Sequence, residues 1–559
     1  MNLRQTARHA VALALGCFLL CLSARAQPDA PPPQTFTLAG HIVNSVTGAP
    51  VPRVLVWLWG LPQRAVKPEG NPEAPPPPVQ THETLTDASG AFRFEEVAAG
   101  TWRLGAKRPG FEDWPEEGQA PLDARIDLTA SREDLRVPLR PVTVITGRVA
   151  DQDGFPVDGV TVQALRAEIV DGRKLFHAYG WAQTDDRGIY RLSNLWRGPY
   201  YLRVSGLSAR TRAVFGRVLP SQATGESFRP VYYPNSPDLD SASPVNDAPG
   251  QELHADFTIS MQAGASVHGV LRSFSASQPV KLELDNAAGE AVPARTEINQ
   301  STGEFEIADV APGSYVVKAS QSVRDETLSG EAPVTLAPGG ASGLTLELAP
   351  GVEIPCRIRV QGQGEDGEPA ADVPASIALE PVVKIETAIQ EPISSQGGEN
   401  TPISLHNVPP GKYRVEVSTS TGYIAQLQAG SKDLLQNPVL TVTPGTAPTL
   451  DIVIQAGGAT VSGRVQAASG NLAGAFIVLV SARSPDLPVV DAVASPDGSF
   501  SLSHVAPGSY RAYAWRGRAQ LEYRNPSAMA LAGVEGVEVE VGSSDLKDVH
   551  VPLAGGSAQ

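Results

Sequence analysis

Eight histidines lie beyond residue 26: His41, His82, His177, His254, His268, His406, His504 and His550. None begins a His-x-x-Glu or a His-Glu-x-x-His. A zinc hydrolase needs closely spaced His and Glu ligands with a further ligand elsewhere, and that spacing is missing. No Gly-x-Ser-x-Gly offers the nucleophile turn of a serine hydrolase. Gly362-Gln-Gly364-Glu-Asp-Gly367 matches the glycine pattern of a dinucleotide loop. A dinucleotide site requires a helix to open there and point its N-terminus at the pyrophosphate. Glu368-Pro-Ala-Ala-Asp-Val-Pro comes next instead, so the segment reads as an acidic hairpin loop. Asp151/Asp153 and Asp238/Asp240 are carboxylates of the calcium-binding type, but neither pair continues to the bidentate Glu of a twelve-residue loop. Both read as turns. A glycosidase's carboxylate pair is defined by separation in space, so chain spacing neither supplies nor removes one. The long loops that would build a cleft are limited to 61–83, with Pro75-Pro-Pro-Pro78, and 205–250. The expectation is a non-catalytic chain without cofactor or metal.

Aromatic side chains are the better candidates for ligand contact. Val54, Val56 and Leu58 alternate with Leu55, Trp57 and Trp59, so one strand puts two tryptophans at i and i+2 on the face opposite its core. In a later strand Tyr510, Ala512 and Ala514 take the inward phase, and Arg511, Tyr513 and Trp515 face outward beside Arg516. Sugar-binding sandwiches stack such rings on pyranoses and use neighbouring polar groups for the hydroxyls, and an exposed aromatic strip requires a cause. The competing expectation is that these faces are buried against a neighbouring domain or a crossing loop. Phe228-Arg-Pro-Val-Tyr232-Tyr233-Pro-Asn-Ser-Pro is a third aromatic segment, held extended between prolines, with no chemistry evident in its residues.

The elements that would position these residues repeat along the chain. Gly90-Ala-Phe92-Arg-Phe94-Glu-Glu-Val97-Ala-Ala-Gly100-Thr-Trp102 returns from Gly188 to Tyr200, from Gly303 to Tyr315 and from Gly498 to Tyr510. A degraded copy, Ile403-Ser-Leu405-His-Asn-Val408-Pro-Pro410-Gly411-Lys-Tyr413, has lost its first glycine. Each copy reads as an Asx–Gly turn, a strand with period-2 apolar positions, a Gly corner and a second strand opening on an aromatic. Two more strands precede each phrase, as in Gly147-Arg-Val149 and Val160-Thr-Val162. Such repeats indicate an array of small all-β domains. With 49 Pro and 53 Gly, the chain is richer in turns and edges than in helices.

The order Gly-x-Val, turn Gly, Val-x-Val, Asp-x-x-Gly-x-Phe-x-Phe/Leu and Pro-Gly-x-Tyr resembles the carboxypeptidase regulatory-like domain. That resemblance implies a transthyretin-like Greek-key β-sandwich with Ig-like layers. It is similar in shape to starch-binding and Cna-B modules, which share a carbohydrate-binding-like fold. The domain accompanies an enzyme in its family and is not one, and a fold alone carries little function. The repeat starts predict five sandwiches at 36–140, 141–262, 263–350, 351–456 (degenerate) and 457–556.

Residues 1–26 read as a signal peptide. Arg4 and Arg8 form its positive end, Val11 to Leu22 its apolar stretch and Ala24-Arg-Ala26 its cleavage site, with a Pro-rich linker next at 27–35. Cys17 and Cys21 leave with the signal, so Cys356 stands alone and reads as a small buried hydrophobe. Losing Arg4, Arg8 and Arg25 takes the formal charge from −16 to −19, a poor balance for nucleic acid or anionic lipid. No second apolar segment of membrane length occurs. The expected protein is exported, to the periplasm, the cell surface or the medium. It binds a polysaccharide or cell-envelope glycan through Trp57, Trp59, Arg511, Tyr513 and Trp515, or serves as a scaffold for protein partners.

Overall fold

The computed structural model describes residues 34–61, 80–113, 125–206, 213–214, 217–218, 226–324, 326–362, 374–383, 385–386, 392–398, 403–467, 472–516 and 521–554. The expected signal peptide, most of the linker, the tetraproline segment, Trp114 and Gly364 to Gly367 lie outside them. The chain divides into two compact units, residues 1–142 and 143–559. Nearly all the regular structure is strand. Among the described residues no helix is long and apolar enough to cross a membrane.

Five separate apolar cores each lie between two sheets, as the period-2 patterns require. The first sandwich runs from strand Thr35–Asn44 to Arg132–Leu139, the second from Thr143–Asp151 to Phe257–Ile259 and the third from Ala265–Arg272 to Ala341–Glu347. The fourth runs from Val352–Gln361 to Leu450–Gln455 and the fifth from Ala459–Gln466 to Leu546–Pro552. One pairing rule recurs. The opening strand lies between the repeated-phrase strand, antiparallel to it, and the closing strand, parallel to it.

Three local devices recur among the copies. The turn acid caps its own loop: Asp87 Oδ1 accepts from the Ser89 and Ala91 amides at 2.8 and 2.9 Å. Asp497 Oδ1 accepts from the Ser499 amide at 3.1 Å. Asp151 does the same for Asp153 and Phe155, so a turn accounts for that acid pair. The second device is a bulge. Glu96, Asn194, Asp309, Asn407 and His504 occupy one position of the phrase and all have φ between 54° and 61°. There the phrase strand gains a residue on its partner, as where Leu192 and Leu195 face Ile145 and Thr143. Asn and Asp tolerate this left-handed region, which accounts for three of the five residues. The third is the aromatic corner. The hydroxyls of Tyr200, Tyr315, Tyr413 and Tyr510 donate to the carbonyl four residues back at 2.6–2.9 Å. In the first copy the Trp102 indole N–H donates to Ala98 O at 3.0 Å in the same way. A large ring is thus buried with its polar tip satisfied.

The fourth sandwich departs from the pattern by a matched exchange. In the others a glycine of the opening strand faces an aromatic, as Gly463 faces Phe500. A Cβ on Gly147 or Gly463 would come within 1.9 Å of the Ala255 or Val549 carbonyl oxygen. In the fourth, Cys356 takes that place opposite Ile403, and its closing strand pairs without a register shift. A larger residue meets a smaller partner, and Ile354, Ile377, Leu405, Leu450 and Ile452 complete a full core. Cys356 is buried there, and burial pushes its thiol up to about 12, which suits a packing residue and not a nucleophile.

Candidate functional site

Strand Leu55–Gly60 fits the first core through Val56 and Leu58, each 0% exposed, so Leu55, Trp57 and Trp59 take the other face. Pairing with Thr81–Leu85 on one side and Gly100–Lys107 on the other sets three rows across the sheet. Thr81, Trp59 and Arg103 form one row, Glu83, Trp57 and Gly105 the next, and Leu85, Leu55 and Lys107 the third. Arg103 is in turn opposite Arg125.

Gly105 decides how Trp57 lies. A Cβ at Gly105 would meet the indole Cε2 at 2.2 Å, so the Trp57 ring packs against backbone that only glycine leaves bare. Trp57 is thereby half-buried. Trp59 is 50% exposed, and Leu55 and Leu85 are exposed in the third row. Glu83 and Arg103 flank the two indoles from opposite strands, and neither side chain has a polar partner among the described residues. Lys107 is held by Asp113 at 2.7 Å, and Arg125 pairs with Asp127 at 3.5 Å. The arrangement offers aromatic surface with one carboxylate and one guanidinium at its borders that are unpaired among the described residues.

The second expected strip has a different fate. Tyr513 and Trp515 point away from the fifth core, as their phase requires, but each is only 2% exposed. They pack with Val478, Val480, Tyr523, Met529 and Val534 in a cluster of their own. Segment 521–534, with its short helix Pro526–Leu531, covers them, and the Tyr523 ring stacks on Trp515 at 5.6 Å. Their expected outward exposure is therefore corrected: a crossing segment closes the face. Arg511 is held to Glu538 at 3.1 Å at its margin.

That covering segment is itself tied to the second sandwich. Arg524 donates to Asp171 O at 2.6 Å and Pro485 O at 2.7 Å, and reaches Leu487 O and the Asp171 carboxylate. The Tyr523 hydroxyl donates to Asp171 Oδ1 at 2.7 Å. Next to it Arg173 meets Glu416 of the fourth sandwich at 3.4 Å and Asp486 of the fifth at 3.5 Å. Glu380 and Arg414 border the same node, and burial raises the Glu380 carboxyl above its usual range.

The Phe228–Tyr233 segment also joins sandwiches. The buried Tyr232 hydroxyl donates to Glu290 Oε2 at 2.6 Å, and Arg229 donates to Pro312 O. Both acceptors belong to the third sandwich. Burial drives the Tyr232 hydroxyl far above its ordinary range, so it stays a donor. Leu165, Phe176, Tyr201, Tyr232 and Leu239 close the outer face of the second sandwich, where Ile385 of the fourth pairs with Phe176. Trp181 stays 68% exposed at the edge of this sheet. Among the described residues no three His, Cys, Asp or Glu side chains come together as a metal set.

Sequence reasoning did not single out Glu83, Arg103 or Gly105. Their alternation with buried neighbours in strands Thr81–Leu85 and Gly100–Lys107 was visible, but their adjacency to the tryptophans depends on which strands pair.

Residues 144–229 match the family model of the carboxypeptidase regulatory-like domain. The resemblance read from the repeated phrase therefore stands for the second copy. No curated protein matches the chain. Among solved structures it is similar to GBS52, the minor pilin of Streptococcus agalactiae, at 13% identity and a TM-score of 0.22, covering 41% of this chain and 97% of that one. It is also similar to BcpA, the major pilin subunit of Bacillus cereus, at 13% identity and a TM-score of 0.14, covering 56% and 99%. The Bacillus anthracis TIE protein matches at 9% identity and a TM-score of 0.17, covering 96% and 77%. These are likenesses of β-sandwich fold alone.

Proposed function

We propose that this chain is a non-catalytic exported binding protein whose first sandwich holds a carbohydrate or cell-envelope polymer on the Trp57/Trp59 face. What supports this reading is the indole of Trp57 packed against Gly105 on the same sheet face as a half-exposed Trp59. An aromatic ring offers its π-face to the C–H groups of a sugar. Glu83 accepts from sugar hydroxyls and Arg103 donates to ring or carboxylate oxygens. The destination is the periplasm, the cell surface or the medium. The test is a glycan panel on the full chain beside a Trp57→Ala/Trp59→Ala double variant of unchanged fold. Binding that the variant loses supports the reading, and no binding by either protein removes it for the glycans used.

A second reading is a scaffold for protein partners. It is favoured by the ties within residues 143–559, where Arg524, Arg173 and Tyr232 each bridge sandwiches. In that case the chain's role is to hold surfaces in fixed order, and capture of a defined protein in place of a glycan separates the two.

A further inference from the structure

The row that carries Trp59 also carries an unfavourable pair. Arg103 and Arg125 stand directly opposite each other on neighbouring strands, both exposed on the outward face. Like charges so placed repel and lower sheet stability. Arg125 has partial relief from Asp127 at 3.5 Å, a pair exposed on both sides. Arg103 has none among the described residues, and Trp59 stands opposite it on the other neighbouring strand. The whole chain carries a formal charge of −16, so two adjacent guanidiniums beside a tryptophan run against its general balance.

We infer that the Trp59–Arg103–Arg125 row is a subsite for an acidic sugar, one whose ring stacks on Trp59 while its carboxylate lies between the two guanidiniums. The inference rests on the carbohydrate reading and narrows it to polymers containing hexuronate. The chemistry of the row selects that class. A guanidinium presents a planar fork of donors that matches a carboxylate, and an anion seated there relieves the repulsion of the pair. Two carboxylates share the face: Asp127, exposed beside Arg125, and Glu83, which lies in the next row on the far side of Trp57. Glu83 disfavours an anion at the Trp57 end and so places the acidic unit at the Trp59 end, where one carboxylate faces two guanidiniums.

The experiment measures affinity of the full chain for a polyuronate and for a neutral polymer of similar length, at low and high salt. The proteins are the unsubstituted chain, Arg103→Gln, Glu83→Gln and Trp59→Ala, each checked for an unchanged melting curve. The expected result is preference for the polyuronate, weakened by salt. Arg103→Gln is expected to cost about tenfold on the polyuronate and to leave the neutral polymer unmoved. Glu83→Gln is expected to tighten the polyuronate a few-fold. Equal binding of both polymers, or a neutral Arg103→Gln, overturns the acidic subsite and leaves carbohydrate binding standing. Full binding of the polyuronate by Trp59→Ala overturns the subsite by moving the site off this row, and no binding of either polymer overturns the subsite and removes the carbohydrate reading for the polymers used. Binding only of an acidic protein gives the face to a protein partner and likewise overturns both.

Discussion

The outward faces of the first and fifth sandwiches stand on equivalent strands and end in opposite conditions. In the first, Leu55, Trp57 and Trp59 lie beside Arg103, Gly105 and Lys107, and Trp59 and both leucines of the face are exposed. In the fifth, Phe476, Val478 and Val480 lie beside Trp515, Tyr513 and Arg511, and the aromatics are sealed beneath residues 521–534. The strands are alike, so the difference lies in the chain beyond them. After strand Gly508–Arg516 the chain returns across its own sheet with Tyr523, Met529 and Val534, and Arg524 pins that return to Asp171. An outward aromatic is thus a candidate ligand surface in one copy and a second core in another, and the covering segment makes the distinction.

The largest expected contrast is between the two tryptophans. Trp515→Ala empties a fully packed cluster and should lower stability by about 3–5 kcal/mol. Trp59→Ala, at a half-exposed position, should stay within about 0.5 kcal/mol. Thermal unfolding of each variant of the full chain measures both, and a stable Trp515→Ala would mean that the fifth face is open after all.

Next in size is Arg524→Ala. Its guanidinium is buried among carbonyls and a carboxylate, and its removal should cost about 3 kcal/mol, since Asp171 and the Pro485 and Leu487 carbonyls lose their donor. Hydrogen exchange localises the effect: amides of 521–534 should lose protection and those of the first sandwich should keep theirs. Uniform loss across the chain would show that the segment is not held by this tie alone.

Gly105→Ala is expected to lift the Trp57 indole from its seat at a cost of about 1 kcal/mol, because the half-buried ring has solvent to move into. Red-shifted tryptophan emission and lost glycan binding in a folded protein are the expected readouts. Retained binding would separate the Trp57 ring from the platform.

Acid should act on both sandwiches alike and more weakly. The Ser89 hydroxyl and the Ala91 amide hold Asp87 below the usual carboxylate range, and the Ser499 hydroxyl and amide do the same for Asp497. Each contributes stability above its unfolded value and loses it as pH falls through the lower folded value, that is below about pH 4. Asp87→Asn and Asp497→Asn should each flatten the acid limb of the melting temperature for its own sandwich. A limb unchanged by both substitutions would place acid sensitivity elsewhere.

Much of this molecule was legible in its residues. The alternation of Phe92/Phe94 and of Val54/Val56/Leu58 sets which side chains face the core, because a strand has a period of two and burial is its strongest constraint. The turn acids and the corner aromatics could be read for the same local reason, and the same alternation turns Tyr513 and Trp515 away from the fifth core. The αL residue of each bulge left a weaker mark, in Asn194, Asp309 and Asn407. What tertiary structure alone decided is everything that depends on non-local pairing. It set Arg103 opposite Arg125, laid Trp57 on Gly105, let Cys356 and Ile403 replace a glycine–aromatic pair, and brought Asp171 to Arg524 across 353 residues of sequence. Periodicity states which way a side chain points; only the path of the rest of the chain states whether water, another segment or a ligand is there to meet it.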